Sequence, residues 1–377
     1  MMNGTVPTTL ECRTRMAKKR TLTGYRPTGK LHIGHWFGNL QNMLHMQHDY
    51  DAYYFIADYH ALTTHWQDPS HVRESTQEMV LDWLAAGLNP EICTIYRQSD
   101  VPEVIELMSF FSMVTPKPWL ERVPSYKEQQ QQVSDKDLGN TGFFLYPLLM
   151  AADITIVRAD AVPVGEDQAP HLELTREIVR RFNTTYGEYL VEPEAVIPKF
   201  GARVPGTDGR KMSKSYGNAI YINDPPDEMR KKVMSFVTDP ARKLKTDPGD
   251  PDICPLHAVH KLFAEAEEIA EWDACCRSAE CGCVAHKKKL AEDLIAYYAP
   301  FQARRAELEA IPNHAWDVLA AGAAKARPVT NNVVSTCREL VGIDARTELS
   351  AGVKPRDPNA AKSAPSFAEV DDTDPVL

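Results

Sequence analysis

The sequence predicts an α/β fold, a parallel sheet flanked by helices and followed by a helical domain, on three observations. Short apolar runs rich in β-branched and aromatic residues alternate with stretches of helical periodicity as far as about Ile222. The first of these runs, Thr21-Leu-Thr-Gly-Tyr25, passes through a Pro-Thr-Gly turn into a helix start at His32-Ile-Gly-His35. Beyond Ile222 the strand signals stop, and helical spacing alone continues to about Leu340.

After the first strand a helix runs from Trp36 to Gln47. Asp51-Ala-Tyr-Tyr-Phe-Ile-Ala57 is apolar at nearly every position and reads as a buried strand. The next helix takes Asp68 as N-cap, Pro69 as its first residue and Gly87 as its stop. Its apolar residues Val72, Met79, Val80, Trp83 and Leu84 recur at helical spacing. Ile92-Cys-Thr-Ile-Tyr96 follows as a strand, and Asp153-Ile-Thr-Ile-Val157 as another. Such alternation makes the strands parallel and places ligands at their carboxyl ends. In the second part, Met229, Val233 and Phe236, then Val259, Leu262, Phe263 and Ile269, mark packed helix faces. The expected organisation is a flexible extension over 1–19, a sheet domain over 20–221, a helical domain over 222–345 and a disordered tail over 346–377.

Composition sets the outer limits. A chain of 377 residues is long enough for two domains, each with its own core. No apolar run is long enough to span a bilayer, and Met1 to Arg20 lacks the apolar segment of a signal peptide, so a cytoplasmic location is expected. Eight cysteines in that compartment argue for thiols or a metal site over disulfides. The net charge of −10 does not exclude a nucleic-acid partner, because a local basic face suffices. Lys287-Lys-Lys289, Arg304-Arg305 and Arg230-Lys-Lys232 are the candidate patches, each of which also reads as a solvated helix face.

Two short motifs carry the chemistry. His32-Ile-Gly-His35, opening a helix after a strand, aims backbone N–H groups and two imidazoles at bound phosphates. Lys211-Met-Ser-Lys-Ser215 is a cationic loop that can close over the same phosphates. Together they suit a reaction in which pyrophosphate leaves and fixed positive groups lower the barrier. Gly34 has no side chain, so a base or ribose can lie against its backbone.

With these motifs in this order, the chain resembles the class I aminoacyl-tRNA synthetases, specifically the bacterial-type tryptophanyl-tRNA synthetases. The resemblance runs from about Arg20 to about Gly342 and includes Ala57-Asp-Tyr-His-Ala-Leu62, Tyr146-Pro-Leu-Leu-Met-Ala-Ala-Asp-Ile154 and Val162-Pro-Val-Gly-Glu-Asp-Gln168. It extends through His171-Leu-Glu-Leu-Thr-Arg-Glu-Ile178 and Arg181-Phe-Asn183. The resemblance implies a Rossmann-like catalytic domain, a helical anticodon-recognising domain and a homodimer. It implies ATP-dependent activation of tryptophan, with Mg²⁺, and transfer to tRNA(Trp). The implied ATP contacts are Arg26, Pro27, Thr28, Gly34 and His35, then Lys127, Gly165, Glu166, Asp167 and Val204. Lys211, Met212, Ser213, Lys214 and Ser215 complete them, with His32, His35, Lys211 and Lys214 as the catalytic groups. The implied tryptophan pocket has Asp153 accepting the indole N–H, Met150 on the ring, Val162 and Val164 as walls, and Gln168 and His60 at the amino-acid end. Leu22 stands where the family often carries an aromatic residue.

Five cysteines cluster at Cys254, Cys275, Cys276, Cys281 and Cys283. Some members of the resembled family bind a four-iron cluster here, and Cys254, Cys276 and Cys283 fall close to that pattern, with His286 in the fourth position. An iron–sulfur cluster, a Cys₃His zinc site and plain thiols all stay open, with plain thiols ahead.

Overall fold

The computed structural model describes residues 18–123, 139–165, 168–196, 204–244 and 246–344. Its centre is a sheet of β1 (Arg20–Tyr25), β2 (Asp51–Ile56), β3 (Thr94–Arg97), β4 (Ala161–Pro163) and β5 (Glu194–Val196), ordered β3-β2-β1-β4-β5. All four neighbouring pairs are parallel, and β1 lies alongside β2 from Arg20 opposite Asp51 to Tyr25 opposite Ile56. The strand order reverses at β1, so a crevice opens past the carboxyl ends of β1 and β4. The period of two along β2 sends Ala52, Tyr54 and Ile56 into one apolar core and Tyr53 and Phe55 into the other.

The first face carries α1 (Ile33–His35), a π-helical stretch at Trp36–Leu40 and α2 (Gln41–Asp49). Past β2 come α3 (Asp58–His65) and α4 (Val72–Ala86). On the second face lie α5 (Glu103–Val114), the short α6 (Lys117–Glu121), α7 (Thr141–Ile156) and α8 (Ala169–Tyr186). The helical part comprises α9 (Pro226–Met234), α10 (Pro255–His260), α11 (Ala266–Arg277), α12 (Cys283–Glu309) and α13 (His314–Val341).

The strand expected at Asp153–Val157 is instead the last turn of α7. Leu148, Leu149 and every residue from Ala151 to Ile156 are buried, so no polar face betrays the period, and such a run looks alike as strand or helix. Asn140 caps this helix, its Oδ1 accepting from the Phe143 N–H at 2.8 Å. Two boundaries also move. Asp68 spends its carboxylate on the Ser70 N–H at 3.1 Å in a turn, and α4 begins at Val72. Asn89 turns the chain by accepting from Glu91 at its side chain and from Cys93 at its carbonyl, which delays β3 to Thr94.

The core on the first face is continuous from Leu40, Val80 and Trp83 to Met229, Val233, Leu290, Leu294 and Tyr298 of the helical part. Arg305 of α12 is 1% exposed and ties this junction together. Its Nε donates to Asp82 at 3.0 Å, its Nη2 lies 3.0 Å from Glu78 and its Nη1 donates to Glu309 at 3.1 Å. Burial pushes the Asp82 carboxyl up to about 7 even beside that guanidinium. The chain then returns: α13 covers the exposed edge of β3, contributing Leu319 to one core and Val333 to the other. Gly322 permits this approach, because a Cβ there would lie 1.7 Å from the Ile95 carbonyl oxygen.

Candidate functional site

The crevice past β1 is built by both motifs. Ile33 N–H donates to the Ile220 carbonyl at 3.0 Å and Ile222 N–H to the Leu31 carbonyl at 3.1 Å, so the segment after the lysine loop pairs with the histidine turn. A Cβ on Gly34 would lie 2.9 Å from the His32 ring and 3.7 Å from the Met212 Cβ, which is why the two motifs can touch. The His32 and His35 rings lie 3.6 Å apart. The His35 Nδ1 accepts from the His32 backbone N–H at 3.1 Å, leaving its Nε2 to carry the proton. Burial, followed by the nearby Lys214 and Lys211 charges, pulls His32 down to about 4. Burial and then His32 hold His35 well below its ordinary value. Both rings are therefore neutral hydrogen-bonding groups near pH 7, not cations.

Lys214 opens a single 3₁₀ turn, Lys214–Tyr216, and its Nζ donates to the carbonyls of Thr28 at 3.2 Å and Gly29 at 2.9 Å. The lysine loop is thus docked on the Arg26-Pro27-Thr28 turn. Burial lowers the Lys214 ammonium to about 8. Val204 is buried, and its carbonyl accepts from the Met212 N–H at 2.9 Å. Lys211 and Ser215 are exposed. Asn218 holds the loop in shape and carried no signal beyond its place after a Ser-Tyr-Gly turn. Its Oδ1 accepts from Ser213 N–H at 2.8 Å, while its Nδ2 donates to Asp208 at 2.7 Å and to the Lys211 carbonyl at 3.2 Å.

A second polar cluster lies at the carboxyl ends of β2 and β3. Asp153 on α7 is 3% exposed, and the His60 Nε2 stands 3.0 Å from its Oδ2. A carboxylate only accepts, so this contact puts the His60 proton on Nε2. Gln98, 1% exposed and not singled out by the sequence, donates its Nε2 to both Asp153 oxygens at 2.8 Å. Burial raises the Asp153 carboxyl, and the His60 and Gln98 bonds offset only part of that rise. Met150 lies one turn earlier on α7, half-buried, with Val162 buried on β4 and Val164 half-buried beyond it. Gln168 precedes α8, its N–H donating to the Gly165 carbonyl at 3.0 Å. Leu22 is buried in the same core as Tyr53.

A family model described as tRNA synthetases class I (W and Y) matches residues 15–299. The chain belongs to this family. It is 44% identical over 326 residues to the tryptophan–tRNA ligase of Thermotoga maritima, covering 86% of this chain and 99% of that one. The tryptophan–tRNA ligase of Deinococcus radiodurans is 42% identical, with 86% and 98% covered. The crystal structure of Campylobacter jejuni tryptophanyl-tRNA synthetase complexed with ADP and tryptophan matches with a TM-score of 0.78 at 36% identity, covering 86% of this chain and 99% of that chain. As a class I synthetase, the chain has a Rossmann-like sheet, and the histidine turn and the lysine loop meet where its strand order reverses.

Lys127, Glu166 and Asp167 lie outside the described residues. The basic patches fare unevenly in this synthetase. Arg305 is buried in its ion network, Arg230 pairs with Glu292 and Asp227, Lys232 with Asp224, and Lys289 with Glu268 and Asp293. The charge of these four is met within the fold, whereas Lys287 donates to the Met234 carbonyl at 3.1 Å.

Cys254, Cys276, Cys283 and His286 do line one small cavity of about 20 Å³. The fourth donor is engaged elsewhere: the His286 Nε2 lies 2.8 Å from the His260 Nδ1, and its ring stacks on Trp272 at 4.4 Å. The Arg242 Nη1 lies 3.7 Å from the Cys276 sulfur and 4.0 Å from that of Cys283, a cation among the thiols. Three cysteines and an engaged histidine do not make the four-thiolate set of an iron–sulfur cluster; Cys281 also lines the cavity. Nor do they converge for zinc. Among the described residues, three donor atoms lie within 4.8 Å of one another only at His260, Glu268 and Asp293, whose two carboxylates already share the Lys289 ammonium at 2.6 Å each.

Proposed function

We propose that this synthetase activates L-tryptophan with MgATP and transfers it to tRNA(Trp). The tryptophan carboxylate attacks the α-phosphorus in line, giving tryptophanyl-adenylate and pyrophosphate. The terminal ribose hydroxyl of the tRNA then takes the acyl group and AMP leaves. No enzymic nucleophile is required; positioning and charge stabilisation carry the rate. The His35 Nε2–H donates toward phosphate oxygens, with His32 beside it, while Lys214 and Lys211 bring the cationic charge. Glu166 and Asp167 accept from the ribose hydroxyls, Lys127 serves the phosphates, and Mg²⁺ arrives with the nucleotide.

The observation that carries the choice of tryptophan is Asp153, a buried acceptor one helical turn beyond the half-buried Met150. A pocket that hydrogen-bonds a substrate N–H rejects analogues without it by about 10⁴–10⁵. Residues 20–221 carry catalysis, and 222–345 read the anticodon as part of a homodimer acting in the cytoplasm. The test is pyrophosphate–ATP exchange with tryptophan, tyrosine or no amino acid, followed by acylation of tRNA(Trp). Exchange with tryptophan alone is expected. Exchange with tyrosine instead would move the substrate, and exchange without acylation would leave an adenylate-forming protein that charges no tRNA.

A further inference from the structure

Gln98 occupies the one-turn 3₁₀ helix Gln98–Asp100 that follows β3, inside the wall between α3 and α7. Its amide can be oriented only one way. The Oε1 accepts from the backbone N–H groups of Tyr59 at 3.1 Å and His60 at 3.4 Å, and the Nε2 reaches both Asp153 oxygens at 2.8 Å. Turning the amide over would set oxygen against carboxylate and N–H against N–H, losing every one of these bonds. The neighbouring residues lock the same wall: Asp58 accepts from Ser99 N–H at 3.1 Å and from Tyr59 N–H at 3.0 Å. Gln98 is therefore a rigid fork whose donor end is fixed by the start of α3.

We infer that Gln98 is a positioning residue for amino-acid selection, holding the Asp153 carboxylate ionised and oriented for the indole N–H. The inference rests on the tryptophan reading above. Asp153 is too deeply buried to keep its charge by solvation, so its two fixed donors, Gln98 and His60, do that work. They also fix the plane of the carboxylate, and hence the direction from which a further N–H can approach. A substrate with an N–H gains from that orientation, whereas an isostere without one gains nothing. Gln98 thus acts on the difference between substrates.

The test compares kcat/KM in pyrophosphate exchange for L-tryptophan and for 3-benzothienyl-L-alanine, in which sulfur replaces the indole N–H. Gln98→Met removes both ends of the fork at similar volume. Gln98→Glu keeps an oxygen for Tyr59 and His60 while removing the donors toward Asp153. In both variants the tryptophan-to-analogue ratio is expected to fall roughly 10- to 100-fold, the loss of a hydrogen bond to a charged group. In Gln98→Glu the ratio recovers toward wild type as pH falls, because the introduced carboxyl and Asp153 then share a proton that restores one donor. Equal losses for both amino acids, or a ratio in Gln98→Glu that stays at the wild-type value as pH is raised to about 9, overturn the inference and leave Gln98 a structural residue. Since that variant retains the contacts to α3, it decides the matter even where Gln98→Met does not fold. Wild-type protein that fails to exchange with tryptophan would instead overturn the substrate assignment itself.

Discussion

The Lys214 ammonium gives the synthetase an alkaline limit that the structure puts in numbers. Its Nζ is held by two carbonyls in a half-buried setting, and desolvation there, opposed by Asp82 and reinforced by Arg26, brings it down to about 8. At pH 7 about nine-tenths of free enzyme then carries the charge, and at pH 9 about one-tenth. If only the charged form assists ATP, kcat/KM for ATP at saturating tryptophan falls about tenfold between those pH values. The sign follows from lysine being cationic below its pKa, so activity is lost as pH rises. Bound phosphates stabilise the cation, so the limb in kcat lies at higher pH than that in kcat/KM. Lys214→Arg stays charged throughout and should lose the limb while running slower, because the planar fork does not match the two carbonyls. Initial-rate pyrophosphate exchange from pH 6.5 to 9.5 measures all three. A profile for kcat/KM flat to pH 9.5, or a limb that survives in Lys214→Arg, refutes the reasoning.

Gly34→Ala forces the His32 ring from its place, an overpacking cost of roughly 1–3 kcal/mol, so exchange falls roughly 10- to 100-fold while tryptophan binding by calorimetry holds. Equal loss of both would show a general collapse of the site. Asn218→Ala removes three bonds within the lysine loop and should speed tryptic cleavage at Lys211 and Lys214 by roughly tenfold; cleavage at the wild-type rate would release Asn218 from that role. Arg305→Met strands the buried Asp82 and should cost about 3–5 kcal/mol of stability in denaturant unfolding at pH 8.5. The folded-state pKa of Asp82 is raised to about 7, so its neutral form is favoured at low pH and the penalty grows as pH rises through that value. An equal loss at pH 6 would count against the ion network as the cause.

What the sequence by itself determined was the parallel sheet, the helical continuation, and the histidine and lysine motifs with their order along the chain. These are local: His32-Ile-Gly-His35 must open a helix after a strand, and β2 is written in an apolar run that only a sheet covered on both faces can bury. The Asp153 segment was misread as a strand because a helix buried all round displays no period. Tertiary structure alone decided what long-range packing controls. Gln98, Asn218, Asp82 and Arg305 are ordinary polar residues in sequence, and each acquires its meaning from a partner brought close by the fold. The same holds for Arg230, Lys232 and Lys289 of the basic patches, whose charges are met by nearby carboxylates, and for His286, which turns toward His260 instead of completing a metal set. Periodicity records which face is apolar; the pairing of buried polar groups depends on distances that exist only once the chain has folded.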